Sequence, residues 1–425
     1  MASRMTTDLA LDPADRACLA GERGEGARLA AQLVTSLGRI YGAERLVPVA
    51  SVQVAGVSYR NLGAAGLEFL REWAGKGAAA RVPAMLNPAG MDLVAWRAHG
   101  IPEEFGLRQL EVIEAYARLG VVPTCTCTPY LVGYAPHYGE HLAWSESSAV
   151  VFANSILGAR TNREGGPGAL AAAILGKTAC YGLHLDGARR ATLVVDVACP
   201  LRTTADFGAL GYLVGRVAGD GVPLLRLWEP PDGLEAQADL LRSPFLPHLK
   251  ALGAAMAASG AVALFHIAGV TPEAREQGEE IIAPGAAHLR IDDLSPAYGE
   301  LGTGGDAVDV VSIGCPHASL AELAQAAALV GGRRVSRPLW ITTSRAVLDE
   351  ARRQGLLAAL ERAGATVMAD TCLVVAPMRH FGFRVVATDS AKLATYAPGH
   401  CGLAARYGPL EACLDAAVTG VMRDG

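Results

Sequence analysis

The stretch VVSIGC at residues 310–315 is a short β-branched run that stops at a cysteine, and VVPTCTC at 121–127 and VMADTC at 367–372 end in the same way. Such a run reads as a buried strand delivering a thiol to its C-terminal end. In α/β folds that edge is where ligands bind, because strand ends and helix N-termini converge there. Three thiols far apart in sequence but alike in local context read as one metal or iron–sulfur site. The intervals from Cys127 to Cys315 and from Cys315 to Cys372 are too long for a zinc knuckle or finger, which brings its ligands in close pairs. Three cysteines from three elements leave a fourth position open, as catalytic metal chemistry requires.

Outward from these runs, strands and helices alternate. Residues 14–40 carry helical periodicity. VPVASVQVAG at 47–56 reads as a strand opening into GVSYRNLG, and ARVPAML at 80–86 as a strand opening into NPAGMDL. A helix is expected over 107–119 and another over 146–159, followed by the polar, glycine-rich loop RTNREGGPG at 160–168. Further strands are expected at 191–197, 261–268, 307–313, 338–343, 365–371 and 383–387, with Ala- and Leu-rich helices between most of them. The alternation predicts an α/β fold of largely parallel sheets covered by helices. The Pro-, Gly- and charge-rich segment 219–246 is the candidate internal boundary.

Composition narrows the class. With 425 residues, 51% hydrophobic and 19% charged, the chain is no disordered segment and is long enough for several cores. A net charge of −5 without a basic run argues against nucleic acid or an anionic membrane as partner. The N-terminus lacks the layout of a signal peptide, and the nine cysteines are irregularly spaced. A cytoplasmic protein with reduced thiols is therefore expected. Residues 251–272 contain no Asp, Glu, Lys or Arg, but Ser259-Gly260 divides them into a helix and a strand rather than a membrane span.

Polar residues gather just beyond the apolar runs: Ser58, Asn87, Glu146, Ser147, Ser148, Asn162, Arg163, Thr342, Thr343, Ser344, Asp370 and Lys392. Singly, each is explained as a cap or turn residue, and Asp92 and Asp389 are left there. Cys315 precedes Pro316 and an amphipathic helix, which predicts a thiolate at a helix N-terminus. Cys125 and Cys127 alternate by two and are expected to face one side, with only one needed. Cys18, Cys180, Cys199, Cys401 and Cys413 read as small buried hydrophobes. His137, His141 and His317 read as loop or outer-layer histidines. The chain has no H-E-x-x-H, no Walker loop and no G-x-G-x-x-G after a strand.

Together, the blocks GVSYRNLG, MLNPAGMDL, CTPYLVG, AWSESSAVVFANSILGARTNREGGP, SIGCPH and DTCLVVAP resemble aconitase X, the divergent branch of the aconitase superfamily, over nearly the whole chain. The resemblance implies an aconitase-like architecture of three α/β/α units around an iron–sulfur cluster, with residues 1–425 as the catalytic large part without the swivel domain. It places the cluster on Cys127, Cys315 and Cys372 and makes Cys125 a neighbour. Substrate contacts would fall on Gly56, Val57, Ser58, Asn87, Pro88, Glu146, Ser147 and Lys392, with catalytic roles for Glu146, Ser147 and Lys392. Three thiolates suit a [4Fe–4S] cluster with one open iron; a [2Fe–2S] cluster, a mononuclear iron or zinc are the other groups they fit.

A separate small subunit carrying the swivel domain is implied, capping the cleft and supplying a serine as base. Members of the family are dehydratases, that is, hydro-lyases acting on a small molecule. Bacterial members take cis-3-hydroxy-L-proline to Δ1-pyrroline-2-carboxylate; archaeal members take mevalonate 5-phosphate to trans-anhydromevalonate 5-phosphate. A phosphate needs cations or helix termini, for which Arg160, Arg163 and Lys392 are the candidates. The Ala-, Gly- and Arg-rich composition looks bacterial and favours hydroxyproline. A non-catalytic iron–sulfur sensor is the reading from another class, and the acidic balance counts against it.

Overall fold

The computed structural model describes residues 9–423. Three parallel sheets follow one another along the chain. The first has three short strands in the spatial order Ala84–Leu86, Val52–Val54, Ala143–Trp144, all parallel. Each strand is buried from end to end, which is why its residues are continuous apolar runs rather than alternating ones. An antiparallel pair, Leu46–Pro48 with Lys177–Ala179, flanks it. The second sheet runs His266–Ile267, Pro223–Leu227, Ala191–Val197, Ile282–Ile291, and the third runs Ala365–Ala369, Leu339–Thr343, Val310–Ala318, Val385–Thr388, Ala404–Tyr407. Segment 219–246 holds an inner strand of the second sheet and the loop that follows it.

The helices cap where the sequence supplies capping groups. Thr203 with Asp206 and Ser319 with Glu322 form reciprocal capping boxes at Thr204–Ala218 and Leu320–Val330. Ser147–Ser155 differs from these amphipathic helices, because all nine of its residues are buried. It leaves the first sheet and sinks into the core of the second unit, beside Leu249, Leu252 and Met256 of helix Leu246–Ser259. That last helix ends at Ser259, as expected, and no helix among the described residues is long and apolar enough to cross a membrane.

Several expectations are corrected. The 14–40 region is two helices, Pro13–Leu19 and Glu25–Ile40, parted by a glycine turn. The 261–268 run forms strand only at His266–Ile267. VVPTCTC is not a strand: Val122 makes a single bridge to Met85, and the remainder is irregular. Cys125 has φ +44, so side-chain alternation fails between it and Cys127.

Candidate active site

Parallel strands within a sheet end on one edge, and two sheets here turn those edges toward each other. In the first sheet, Val52–Val54 runs into Gly56, Val57 and Ser58, Ala84–Leu86 into Asn87 and Pro88, and Ala143–Trp144 into Glu146 and Ser147. In the third, Val310–Ala318 carries Cys315, Ala365–Ala369 runs into Cys372, and Val385–Thr388 into Lys392.

Buried ties fix this junction. Lys392 Nζ donates to Glu146 Oε1 at 2.5 Å and to Ser148 Oγ at 3.1 Å. Glu146 also accepts from Ser148 Oγ and from the Ala149 amide, both at 2.7 Å, as the N-cap of helix Ser147–Ser155. Both partners are buried. Burial alone pushes the Glu146 carboxyl up, but Lys392 and these donors outweigh it and hold it below the usual carboxylate range. Burial likewise works against the Lys392 charge, and Glu146 with the nearby thiols raises it overall. The pair is a carboxylate and an ammonium at neutral pH. Ser147 Oγ makes only a 3.4 Å contact to Glu146 Oε1.

His317 joins all three cysteine segments. Its amide donates to Cys127 Sγ at 3.2 Å, its Nδ1 meets Thr126 Oγ1 at 3.0 Å, and its Nε2 lies 2.7 Å from the Thr371 carbonyl beside Cys372. A carbonyl only accepts, so Nε2 carries the proton and Nδ1 accepts from Thr126. With both nitrogens engaged, His317 positions the thiols instead of joining them as a ligand. Gln109, fully buried, does the same for the loops that follow the first two strands: its Nε2 donates to Val57 O and its Oε1 accepts from the Tyr59 and Gly90 amides, each at 3.0 Å. Arg345 bridges Asp92 and Asp370 across the seam between first and third units, and Asp92 further accepts from the Val94, Ala95 and Ala369 amides. Asp92 is thus the turn residue expected of it.

The thiols converge. The Cys372 thiol beside Cys315 holds Cys315 below the ordinary thiol range against burial, while Cys372 is itself pushed up. Burial pushes Cys127 up to about 12, and Cys315 adds to the effect. All nine cysteines are free. Cys125 looks elsewhere, toward Asp370, Ala89 and Arg345. Cys315 lies within its strand and not at a helix N-terminus: the following helix begins at Leu320 with Ser319 as its cap. Gly314 permits the close fold there, with φ +88 and a Cβ position 2.2 Å from Thr342 O. Asp370, with φ +64, and Cys125 are the non-glycine residues of positive φ among those described, and each stands two residues before a converging thiol.

An iron–sulfur cluster suits this donor set. A cluster takes one thiolate on each of three irons and leaves a fourth iron open, a donor set that three thiols from three segments supply. Around the thiols, Gln53 Oε1, Asn87 Oδ1, Tyr130 Oη and Ser145 Oγ are buried without a hydrogen-bond partner, the mark of a site built for a polar group. Tyr130, unnoticed in the sequence, follows Cys127 by one turn and stacks on Phe152 at 3.9 Å. Its only signal was the CTPYL context.

Other candidates lie outside the junction. Arg160 pairs with Asp186 and the His184 carbonyl, His141 pairs with His184, and His137 is exposed. Arg163 is exposed on the loop preceding helix Gly166–Leu175. Asp389, by contrast, lines a cavity with Cys315 and Ser390, where burial, reinforced by Glu322, pushes it up to about 7.

Parallel α/β units whose strand ends face one another across three thiols define an aconitase-like enzyme. Sequence models described as Aconitase X first domain, second domain and third domain match residues 8–187, 191–295 and 308–419, and the chain belongs to the aconitase X family. It is 49% identical over 397 residues to the phosphomevalonate dehydratase large subunit of Methanothermobacter thermautotrophicus, covering 93% of this chain and 96% of that one. It is 38% identical over 421 residues to the cis-3-hydroxy-L-proline dehydratase of Pseudomonas aeruginosa, covering 96% of this chain and 70% of the relative. The crystal structure of Thermococcus kodakaraensis aconitase X in its holo-form superposes with a TM-score of 0.86 at 42% identity, covering 96% of this chain and all of the other. The chain is a dehydratase of this family, a lyase of the hydro-lyase class.

Proposed function

We propose that this chain is the catalytic large subunit of a cytoplasmic iron–sulfur dehydratase that converts mevalonate 5-phosphate to trans-anhydromevalonate 5-phosphate with a separate small subunit. The observation that carries the reading is the meeting of Cys127, Cys315 and Cys372 beside the buried Glu146–Lys392 pair. The choice of substrate rests on likeness: 49% identity to a phosphomevalonate dehydratase large subunit against 38% to a hydroxyproline dehydratase. That reverses the lean taken from composition. Of the cations expected for a phosphate, Lys392 is the one at the junction, and the Glu146 oxygens already accept from Lys392, Ser148 and Ala149, which leaves less of them for a substrate amine.

In this reading Cys127, Cys315 and Cys372 hold the cluster, which when bound supplies a Lewis-acidic iron that makes a substrate hydroxyl a better leaving group. The chain's own residues do the rest of the positioning. Gly56, Val57, Ser58, Asn87 and Pro88 present main-chain and side-chain groups to the substrate from two strand ends locked together by Gln109. Lys392 uses two N–H groups on Glu146 and Ser148 and keeps a third for a substrate oxygen. Glu146, ionised, fixes that ammonium, so Lys392 is the proton-bearing member of the pair. Ser147, next to the cap, contributes its hydroxyl to the same corner. The base that removes the carbon-bound proton is assigned to the small subunit.

Turnover of mevalonate 5-phosphate and cis-3-hydroxy-L-proline by the chain co-purified anaerobically with its small partner tests the assignment. Activity on the phosphate alone is expected. Activity confined to the imino acid moves the chain to the other branch, and an iron-replete protein inactive on both points to a sensor.

A further inference from the structure

A cavity of about 370 Å³ lies behind the thiol junction, between the 91–101 loop of the first unit and the face of the third sheet. None of the proposed substrate residues lines it. Its walls are mostly apolar, with Met91, Trp340, Met368 and Phe381 prominent, and Trp340 and Phe381 meet edge to face at 5.1 Å. Two polar atoms on this wall are buried with no hydrogen-bond partner: Oγ1 of Thr371, a residue 4% exposed, and Nδ1 of His99. Leaving such atoms unpaired forfeits their hydrogen bonds to water without replacement. An apolar chamber with a few converging polar groups is the usual form of a small-molecule site, and one far larger than a single water needs.

The charge on the wall narrows the ligand. Asp92 lines the cavity, but its carboxylate is taken up by Arg345 and three amides, and Arg345 also holds Asp370. No unpaired charge is offered to a cation or an anion. We propose that this cavity is a second binding site, separate from the substrate site, for a small neutral molecule with an apolar body and one hydroxyl or carbonyl group held between Thr371 and His99. Its position gives it a lever on the active site. Thr371 adjoins Cys372 and its carbonyl orients His317, which in turn donates to Cys127. Ala89, next to the Asn87-Pro88 loop, is bound to the Asp370 carbonyl on the same seam. An occupant would therefore brace the seam on which two thiols and one substrate loop depend. The inference does not rest on the choice of substrate.

The probe is cyclohexanol, with cyclohexanecarboxylate and cyclohexylammonium as charged counterparts of the same shape, titrated into the full chain and followed by Trp fluorescence. Cyclohexanol should give a saturable change that disappears in Trp340→Phe, and the charged counterparts should bind at least tenfold more weakly. Thr366→Phe, which fills the cavity from the sheet without touching the thiol junction, should abolish the response while turnover persists. Thr371→Val should weaken cyclohexanol roughly tenfold, the worth of one hydrogen bond, and leave methylcyclohexane unaffected. Absence of a saturable response in the parent chain, a response that survives Thr366→Phe, or equal binding of the charged counterparts would overturn the proposal.

Discussion

Replacing Lys392 by methionine removes the ammonium that makes the buried Glu146 carboxylate tolerable. At a separation of 2.5 Å and an effective dielectric of about 20, the attraction is roughly 7 kcal/mol before the several kcal/mol per ion spent on desolvation. Removing one partner of such a pair typically costs about 3–5 kcal/mol. Glu146 would still accept from Ser148 and the Ala149 amide, so the lower end, about 3 kcal/mol, is expected for Lys392→Met. Since Glu146 caps helix Ser147–Ser155, the loss should appear there first. At about 1.4 kcal/mol per decade, amide exchange of that helix should accelerate at least a hundredfold. Glu146→Gln in the same background removes the stranded charge and should recover most of the loss, a strongly non-additive cycle.

The pair also sets an acid limit. The Glu146 carboxyl is held below its unfolded value of about 4.3, so its contribution is complete above that pH and is lost as pH falls through the folded value. Protection of the helix should collapse on acidification in the parent chain and stay flat with pH in the double variant. Exchange measured by mass spectrometry decides the matter. Single variants within 1 kcal/mol of the parent, or effects that simply add, would refute the reasoning.

Three further outcomes follow from particular contacts. Tyr130→Phe deletes a buried, unpartnered hydroxyl and should stabilise the metal-free chain by about 1–2 kcal/mol in a urea melt while lowering turnover, whereas destabilisation would show that the hydroxyl is already satisfied. Gly166→Ala would put a Cβ 2.6 Å from the Ala55 carbonyl, so the Gly56 loop must shift, and kcat/KM should fall at least tenfold with iron content unchanged. Arg345→Met leaves Asp92 and Asp370 facing one another across the seam and should cost about 3 kcal/mol in unfolding free energy; a loss below 1 kcal/mol would mean that the backbone donors alone carry both carboxylates.

The strand ends that meet at the junction were readable because each is a local pattern, an apolar run closed by Gly, Pro, Asn or Cys. The three thiols proposed to hold the cluster were picked out in the same way. What lay hidden depends on contacts distant in sequence. Gln109 sits on helix Glu103–Arg118 among charged residues and looks like a surface glutamine, yet it is fully buried because two loops close over it. Arg345 belongs to a helix of mostly polar residues, and only the fold brings Asp92 and Asp370 to it. Strand Ile282–Ile291 escaped notice because IAPGAAHLRI holds proline and glycine, which an edge strand accommodates and an inner one does not. The VVPTCTC run failed as a strand because its thiol is delivered by an irregular segment turned at Cys125, a conformation that β-branched composition does not announce.

The central claim, that three particular thiols hold an iron–sulfur cluster, is tested most directly by iron and sulfide analysis of anaerobically reconstituted variants. Cys127→Ser, Cys315→Ser and Cys372→Ser should each lose most of the iron and inorganic sulfide bound by the parent chain, while Cys125→Ser, two residues away but facing the Asp370 side, should keep it. Retention of iron and sulfide in any of the first three, or its loss in Cys125→Ser alone, would contradict the account.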